Sequence, residues 1–253
     1  MSILDQINKP KDRPVVATII GDAGLGKTSL AATFPKPIFI RAEDGMSSIP
    51  AHLRPDAFPR LHKVDELWQQ MAALINEDHG YSTLVVDSVT ALETMFCEYV
   101  VDSDPKKPKG IQQAHGGYGA GREMVSSMHR RLRKGAEMLV ERGLHVVFVA
   151  HADTVRIEPP DADPYTKFSM RLHEKSMQPY VDNVDLVGFL RLETYVTGDG
   201  DRKKAISDGT RQLVCHAMAA NVSKNRFNIT DPIEFKLGEN PFVNLIPQLT
   251  PRT

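Results

Sequence analysis

Nine consecutive residues near the N-terminus have the types and the spacing that a phosphate-binding turn needs. They are Gly21, Asp22, Ala23, Gly24, Leu25, Gly26, Lys27, Thr28 and Ser29, and residues 21–28 match the pattern GxxxxGK[ST]. Glycines let backbone N–H groups point at a phosphate, Lys27 supplies a positive charge, and Thr28 offers a hydroxyl to Mg²⁺. A β-branched run, 15–20, precedes the motif and a helical pattern, 28–34, follows it. This strand–turn–helix context favours a nucleotide site over a tight turn with no ligand.

Two carboxylates follow apolar runs that are typical of buried strands. Asp87 ends the run 83–86, and Glu43 lies just beyond the run 38–40. Because the carboxyl ends of parallel strands meet at the ligand crevice, both side chains are expected near the phosphate turn. Asp87 is therefore a predicted metal ligand together with Thr28, and Glu43 is a candidate base for an attacking water. The competing interpretations are a helix cap for Asp87 and a solvated acidic turn for Glu43.

The composition restricts the class of protein. The chain has 253 residues, of which 41% are hydrophobic and 25% charged, which excludes disordered, collagen-like and coiled-coil proteins. No apolar run is long enough to span a membrane, and the polar start lacks the apolar core of a signal peptide, so we expect a cytoplasmic protein. The two cysteines, Cys97 and Cys215, are too far apart for a paired metal motif. With a net charge of −1, any attraction to nucleic acid must come from local clusters.

Predicted strands and helices alternate along most of the chain, which indicates an α/β fold with a mostly parallel, twisted sheet and helices on both faces. Residues 1–14 are expected to form an exposed arm, and residues 15–253 a single domain with a β-rich C-terminal part at about 185–253 that includes a turn-rich stretch, 197–201. Two segments rich in Pro, Gly and charge, 103–121 and 151–175, are predicted to be irregular loops, the first of them mobile.

Three stretches resemble the RecA family of recombination ATPases. Residues 84–92 resemble its Walker B strand and the following helix, and residues 39–43 its strand ending in the catalytic glutamate. Residues 222–226 are similar to the element through which one subunit reaches the ATP of its neighbour. The resemblance implies a RecA-like P-loop NTPase core that uses ATP and Mg²⁺. It also implies that Lys224 and Arg226 act in trans, whereas the residues alone are equally typical of a basic pair in an exposed turn.

The resemblance extends over residues 14–240, the ATPase core alone. It implies that His151 stands at the strand end where relatives place a polar sensor of the γ-phosphate, commonly glutamine. A satisfied structural histidine is the alternative. A chain of this length is similar to core-only RecA-like proteins of bacteriophages, which are associated with single-strand annealing and recombination. It would then act in the host cytoplasm as a ring or filament of identical subunits, with a single-strand DNA-binding protein as a candidate partner and no membrane association.

Positive charge is concentrated in one stretch. Residues 105–135 hold eight Lys or Arg and one acidic residue, Glu123. In RecA relatives two loops at these positions line the DNA channel, and the segments 103–121 and 152–175 match them. The candidate DNA contacts are Lys106, Lys107, Lys109, Tyr118 and Arg122 in or beside the first segment, and Arg156, Lys167, Phe168 and Arg171 in the second. Cations that follow phosphates and a ring that stacks on a base predict binding that is largely independent of sequence. The competing interpretation is a charged helix face with a flexible connector.

The sequence thus favours an Mg²⁺-dependent, RecA-like ATPase that binds single-stranded DNA and promotes annealing or strand exchange. One rival is a regulatory or loader ATPase that acts on a protein partner without gripping DNA. Another is a small-molecule P-loop kinase, which would not require Lys224 and Arg226 from a neighbour.

Overall fold

The computed structural model describes residues 3–9, 12–197 and 204–250. The strands are β1 (Val16–Gly21), β2 (Pro37–Arg41), β3 (Asp56–Ala57), β4 (Thr83–Asp87), β5 (His145–Ile157), β6 (Tyr165–Met170), β7 (Leu186–Leu192), β8 (Tyr195–Thr197), β9 (Lys204–Ile206), β10 (Arg211–Val214), β11 (Lys224–Asn225) and β12 (Ile233–Phe235). The α-helices are α1 (Lys27–Ala31), α2 (Val64–Asn76), α3 (Val89–Ser103), α4 (Ala120–Glu141) and α5 (Glu174–Met177). Alternating strands and helices therefore occupy the N-terminal two thirds, as the sequence predicts.

The central sheet has the order β12-β10-β7-β1-β5-β4-β2-β3. The pairs from β7 through β1, β5, β4 and β2 to β3 are all parallel, whereas β10 and β12 add antiparallel strands at one edge. This confirms the predicted α/β class with a mostly parallel sheet and a β-rich C-terminal part. The predicted turn-rich stretch after β8 falls largely in 198–203, outside the described residues.

Every residue of β1 is buried, because both faces of the sheet are covered. Val16 and Ile20 face the core formed with α2, α3 and α4, while Ala17 and Ile19 face the core formed with α1 and the C-terminal segment. Phe242 of that segment packs edge-on against Phe34, with ring centroids 6.1 Å apart. A continuous apolar strand is therefore held in place from two sides, and the phosphate turn that follows it has a rigid support.

The prediction of an irregular loop over residues 151–175 is wrong. β5 continues beyond the sheet to Ile157 and pairs with β6 as an antiparallel hairpin, with Ala152 opposite Met170 and Ile157 opposite Tyr165. The free edge of β6 is also bonded, since Phe168 exchanges backbone hydrogen bonds with the segment 220–222. Alternating threonines, valine and aromatic residues suit a strand, and the paired prolines at 159–160 mark the hairpin turn instead of a long irregular segment.

The first predicted loop is irregular, as expected, but it is compact. α3 ends at Ser103, and the buried carboxylate of Asp104 accepts hydrogen bonds from the backbone N–H groups of Lys106 and His115. The His115 ring in turn lies 3.0 Å from the carbonyl oxygen of Val100. One buried acid therefore closes a loop that its proline and glycine content had indicated to be mobile.

Several boundaries differ from the predictions in smaller ways. α1 ends at Ala31 and not near residue 34, because the chain tightens into a turn before β2. On α4, the apolar side chain of Met124 is 38% exposed, whereas Arg133 is buried. In the N-terminal segment, Ile3–Gln6 forms a 3₁₀-helix with exposed side chains. Among the described helices, none is both long and apolar enough to cross a membrane.

Candidate functional site

The phosphate turn lies between β1 and α1. Gly24 and Gly26 have φ values of +79° and +96°, in the left-handed region that favours glycine. A Cβ added at Gly26 would lie 2.7 Å from Cδ2 of Leu237, the end of an exposed side chain that can move aside. The positive φ is therefore the reason that this position needs glycine.

Lys27 is the first residue of α1, and only 6% of its surface is exposed. Its ammonium group donates to the carbonyl oxygen of Asp22 at 2.9 Å. Burial lowers the pKa of Lys27, and the carboxylates of Asp87, Glu43 and Asp22 oppose that shift. Lys27 is thus a buried cation whose donors are directed at the turn, which suits a phosphate group.

Thr28 and Asp87 meet at the start of α1. The Thr28 hydroxyl donates to Oδ2 of Asp87 at 2.8 Å. Asp87 is 2% exposed, and desolvation raises its pKa to about 6 despite this hydrogen bond. A buried carboxylate with so little compensation has the chemistry of a cation ligand, and the adjacent hydroxyl is a second oxygen ligand of the kind that Mg²⁺ prefers.

Glu43 and His151 form a second pair beside the first. His151 Nε2 lies 3.0 and 3.2 Å from the two carboxylate oxygens of Glu43. The contact with His151 lowers the pKa of Glu43, and a further hydrogen bond from the Ser88 hydroxyl acts in the same direction. The backbone N–H of His151 donates to the Thr90 hydroxyl at 3.0 Å, so the first turn of α3 orients the strand end that carries the histidine.

A cavity of about 340 Å³ brings these groups together. Its lining includes Ala23, Gly24, Gly26, Lys27, Thr28, Ser29, Glu43, Asp87 and His151. Three other members of the predicted phosphate turn, Gly21, Asp22 and Leu25, do not line it. Gly21 belongs to β1, where a side chain would meet the Leu190 carbonyl oxygen at 2.7 Å, and the carbonyl of Leu25 accepts from Arg211. A turn of N–H groups, a buried lysine and a buried metal-type carboxylate fit a nucleotide phosphate chain with Mg²⁺.

Sequence reasoning missed several residues of this site. Gly45 abuts Thr28 and Asp87, and a Cβ there would lie 2.8 Å from the Thr28 hydroxyl oxygen. Leu237 lines the cavity from the C-terminal segment. Ser88, the N-cap of α3, also forms a hydrogen bond with Glu43. Nothing in the sequence placed Leu237, whereas the glycine after Glu43-Asp44 was a usable signal for close approach.

The candidate DNA contacts of the first loop differ in exposure. Lys106, Lys107 and Lys109 are exposed, and the Tyr118 ring is fully exposed on a backbone with φ of +50°. Arg122 is different, because its guanidinium turns inward to Glu93 at 3.3 Å and to the Cys97 sulfur at 3.4 Å. The prediction of a DNA contact is therefore not supported for Arg122, whose charge neutralises an interior acid.

The candidates of the second segment lie on the hairpin. Arg156 and Phe168 share one face of it, and Lys167 faces the other way, because side chains alternate along a strand. Arg156 is paired with Glu158 at 2.9 Å, and the Phe168 ring packs on Phe189 with centroids 5.1 Å apart. Arg171 follows β6 directly and lies next to His151, to whose carbonyl oxygen its backbone N–H donates at 2.8 Å. These residues do not form one continuous surface.

Lys224 and Arg226 lie away from the site of their own chain. β11 pairs with the first residues of β7, with Lys224 opposite Val187, whereas Gly21 at the phosphate turn is opposite Leu190. The Lys224 ammonium donates to the Asp182 carbonyl oxygen at 2.6 Å, and Arg226 pairs with Asp185 at 3.1 Å. The two cations therefore lie toward the end of β7 that is farther from the phosphate turn, and neither lines its cavity.

The α/β fold and this site define a domain of the P-loop class. The chain belongs to the AAA_24 family, described as an AAA domain, whose family model matches residues 13–227. It is 27% identical over 178 residues to the SPbeta prophage-derived uncharacterized protein YorG of Bacillus subtilis (strain 168), an alignment that covers 69% of this chain and 50% of the relative. The chain thus spans about half the length of that curated relative.

Among solved structures, the chain is similar to a KaiC-like protein from the hyperthermophilic archaeon Pyrococcus horikoshii OT3. The two share 12% sequence identity with a TM-score of 0.47, and the match covers 89% of this chain and 87% of the other.

The burial of Asp87 leads to a prediction about stability. Since burial raises its pKa to about 6, the native state holds a proton more tightly than the unfolded chain, and ionising Asp87 above that pH costs free energy. Asp87→Asn should increase the free energy of unfolding in metal-free buffer at pH 8 by up to about 3 kcal/mol. The gain should vanish as the pH falls from about 6 to about 4, where Asp87 of the native chain becomes protonated.

Urea unfolding at pH 8 and at about pH 4, with and without Mg²⁺, measures this change in the free energy of unfolding. Mg²⁺ should stabilise the native sequence but not the variant. Asp22→Asn removes an exposed carboxylate near the same edge of the sheet and should change stability by less than about 0.5 kcal/mol. If Asp87→Asn lowers the free energy of unfolding equally at both pH values, burial does not destabilise the ionised form of Asp87.

Proposed function

We propose that this chain is an Mg²⁺-dependent ATPase that binds single-stranded DNA and promotes annealing or strand exchange in phage recombination. For nucleotide binding, the support is the cavity around the phosphate turn. Residues Ala23 to Ser29 and Lys27 would hold the phosphates of ATP, and Thr28 with Asp87 would hold Mg²⁺. Bound Mg²⁺ would neutralise the charge of the phosphate oxygens.

In the proposed hydrolysis, Glu43 positions a water in line with the γ-phosphorus. As the oxygen–phosphorus bond forms, the water gives a proton to Glu43, the bond to the leaving oxygen breaks, and ADP and phosphate are released. The contact with His151 keeps Glu43 ionised, because it lowers the pKa of that carboxyl group. A neighbour's Lys224 and Arg226 would stabilise the charge on the transferred group, in exchange for their contacts with Asp182 and Asp185.

One observation carries the DNA-binding half of the proposal: exposed lysines and a fully exposed aromatic ring lie together on the compact loop between α3 and α4. Lys106, Lys107 and Lys109 suit a phosphate backbone, and Tyr118, which is held away from the protein surface, suits stacking on a base. Because backbone contacts carry no base-edge readout, binding would be independent of sequence.

Helix α4, which follows the loop, contacts the segment that follows the β5–β6 hairpin. Near the start of α4, Ser126 donates its hydroxyl to the Lys175 carbonyl oxygen at 2.6 Å, and Glu123 pairs with the Lys175 ammonium at 3.9 Å. Lys175 belongs to α5, which follows the hairpin, and His151 of the first hairpin strand lines the cavity. In this proposal, a change at the phosphate site would reach the loop through the hairpin, α5 and α4. The resemblance to RecA and the prophage origin of the curated relative support recombination as the process.

Substitution of the loop lysines tests the DNA contact. Lys106→Ala/Lys107→Ala/Lys109→Ala should weaken binding to an unstructured oligonucleotide and reduce the slope of log K against log salt by about 2, because each lost phosphate contact contributes about 0.7. Fluorescence anisotropy at several salt concentrations measures both quantities. Lys36→Ala/Arg142→Ala, which removes exposed cations that precede β2 and β5, should leave the slope unchanged.

Equal salt slopes for the native chain and the triple variant would contradict the proposed DNA surface. If the native chain binds and hydrolyses ATP but no oligonucleotide binds at any salt, the chain is an ATPase that acts on a protein partner.

A further inference from the structure

Arg171 has a position that its assignment to a DNA loop does not explain. It follows β6 directly, and its backbone N–H donates to the carbonyl oxygen of His151 at 2.8 Å. One terminal nitrogen of the guanidinium donates to the Ala152 carbonyl oxygen at 3.2 Å. The side chain is therefore held beside the residue that contacts Glu43 in the cavity.

Among the described residues, no acidic group pairs with the charge of Arg171, whereas Arg156 of the same hairpin pairs with Glu158 at 2.9 Å. Arg171 is exposed, and its backbone lies against His151, which lines the cavity and is paired with Gly21 at the start of the phosphate turn. A cation with no carboxylate partner among the described residues, close to a turn of N–H groups, is the arrangement expected where a polyanion is to be bound.

The base of Arg171 is rigid. Met170 and Ser169, which precede it, are 2% and 5% exposed, and β6 is bonded on both edges. Only the side chain beyond the last strand residue is free to reorient. A guanidinium has five N–H donors and can keep its carbonyl contact while it presents another pair to an oxyanion.

We propose that Arg171 binds the terminal phosphate of the nucleotide in cis and so makes the β5–β6 hairpin a sensor of that phosphate. The inference rests on the proposed ATP site and assigns it one further binding residue. Because Glu43 and His151 mark the end of the cavity where the γ-phosphate would lie, Arg171 should distinguish a triphosphate from a diphosphate. ATP would then add a contact at the base of the hairpin through the Arg171 side chain, and loss of the γ-phosphate would remove that contact.

Nucleotide affinity without DNA tests this inference. Arg171→Ala should bind a non-hydrolysable, fluorescent ATP analogue about 10- to 100-fold more weakly in Mg²⁺, while affinity for the matching ADP analogue changes by less than about 3-fold, as expected for one lost charged hydrogen bond. The affinity of Arg171→Lys for the ATP analogue should lie between those of the native chain and Arg171→Ala. Lysine keeps the positive charge but lacks the paired N–H donors of a guanidinium. Arg142→Ala, an exposed arginine after α4, is the matched control.

Hydrogen exchange provides a readout that does not depend on turnover. The ATP analogue should slow amide exchange over residues 151–171 more than ADP does in the native chain, and this difference should be lost in Arg171→Ala. Equal ATP-analogue affinity for the native chain and both variants, or an equal loss of ATP and ADP binding in Arg171→Ala, would overturn the inference. Failure of the native chain to bind either nucleotide would instead overturn the proposed ATPase function.

Discussion

Glu43→Gln should lower the rate of ATP hydrolysis by about 10²- to 10⁴-fold, the range that a positioned general base contributes. Glutamine keeps the size of the side chain and a hydrogen bond to His151, but it cannot accept a proton from water. ATP affinity should change by less than about 3-fold, because this interaction develops mainly in the transition state. Single-turnover hydrolysis and equilibrium binding of a fluorescent ATP analogue measure the two effects separately.

Asp44→Asn is the matched control for Glu43. This neighbouring carboxylate is 60% exposed, pairs weakly with Arg41 at 3.9 Å and does not contact His151. It should retain most of the turnover. A Glu43→Gln variant with near-normal turnover would mean that another group activates the water, and a variant that no longer binds ATP would assign Glu43 to binding.

Lys27→Ala should abolish measurable nucleotide binding at micromolar concentrations. Lys27 is a buried cation close to the carboxylates of Asp87, Glu43 and Asp22. Without its positive charge, the negative charge of these carboxylates would repel the phosphates of ATP. Loss of one buried charged partner costs about 2–5 kcal/mol, which corresponds to about 30- to several-thousand-fold in affinity. Isothermal titration with Mg²⁺ and ATP measures the loss directly.

Lys36→Ala, which removes an exposed lysine just before β2, should bind ATP normally and serves as the control for Lys27. Circular dichroism of both variants checks that the fold is intact. Should a folded Lys27→Ala chain bind ATP with native affinity, the glycine-rich turn would not be the phosphate site.

The local part of the site could be predicted from the sequence. Gly21 to Ser29 form a contiguous pattern between a strand and a helix, and Asp87 and Glu43 both end apolar strands, so the parallel sheet alone brings them together. The structure places Lys27, Thr28, Glu43, Asp87 and His151 around one cavity, as expected. The roles of these residues in binding and hydrolysis stay predictions, as do the domain boundaries.

Contacts between segments that are distant along the chain could not be predicted from the sequence. Arg122 and Arg133 have the same charge as their neighbours on α4, yet Arg122 turns inward to Glu93 and Arg133 to the Asn183 carbonyl oxygen at 2.7 Å. A charge count cannot separate a cation that faces solvent from one that neutralises an interior acid. Arg171 shows the same limit, because its position beside His151 depends on the pairing of β5 with β6, a segment that the sequence predicted to be a loop.

The loop between α3 and α4 illustrates a different cause. Its proline, glycine and lysine content is typical of a mobile connector, but a single residue, Asp104, closes it through backbone hydrogen bonds to Lys106 and His115. An argument from the composition of the whole segment does not detect the effect of one such residue. For the proposed DNA surface, a compact loop would present its exposed lysines with less conformational freedom to lose on binding.

We propose that DNA binding and ATP hydrolysis are coupled in this chain. Steady-state ATP hydrolysis in Mg²⁺, with and without an unstructured single-stranded oligonucleotide at low and moderate salt, tests this coupling. We expect stimulation by DNA that weakens with salt and is absent in Lys27→Ala. An ATPase rate that DNA leaves unchanged at both salt concentrations, with no DNA bound, would contradict the claim.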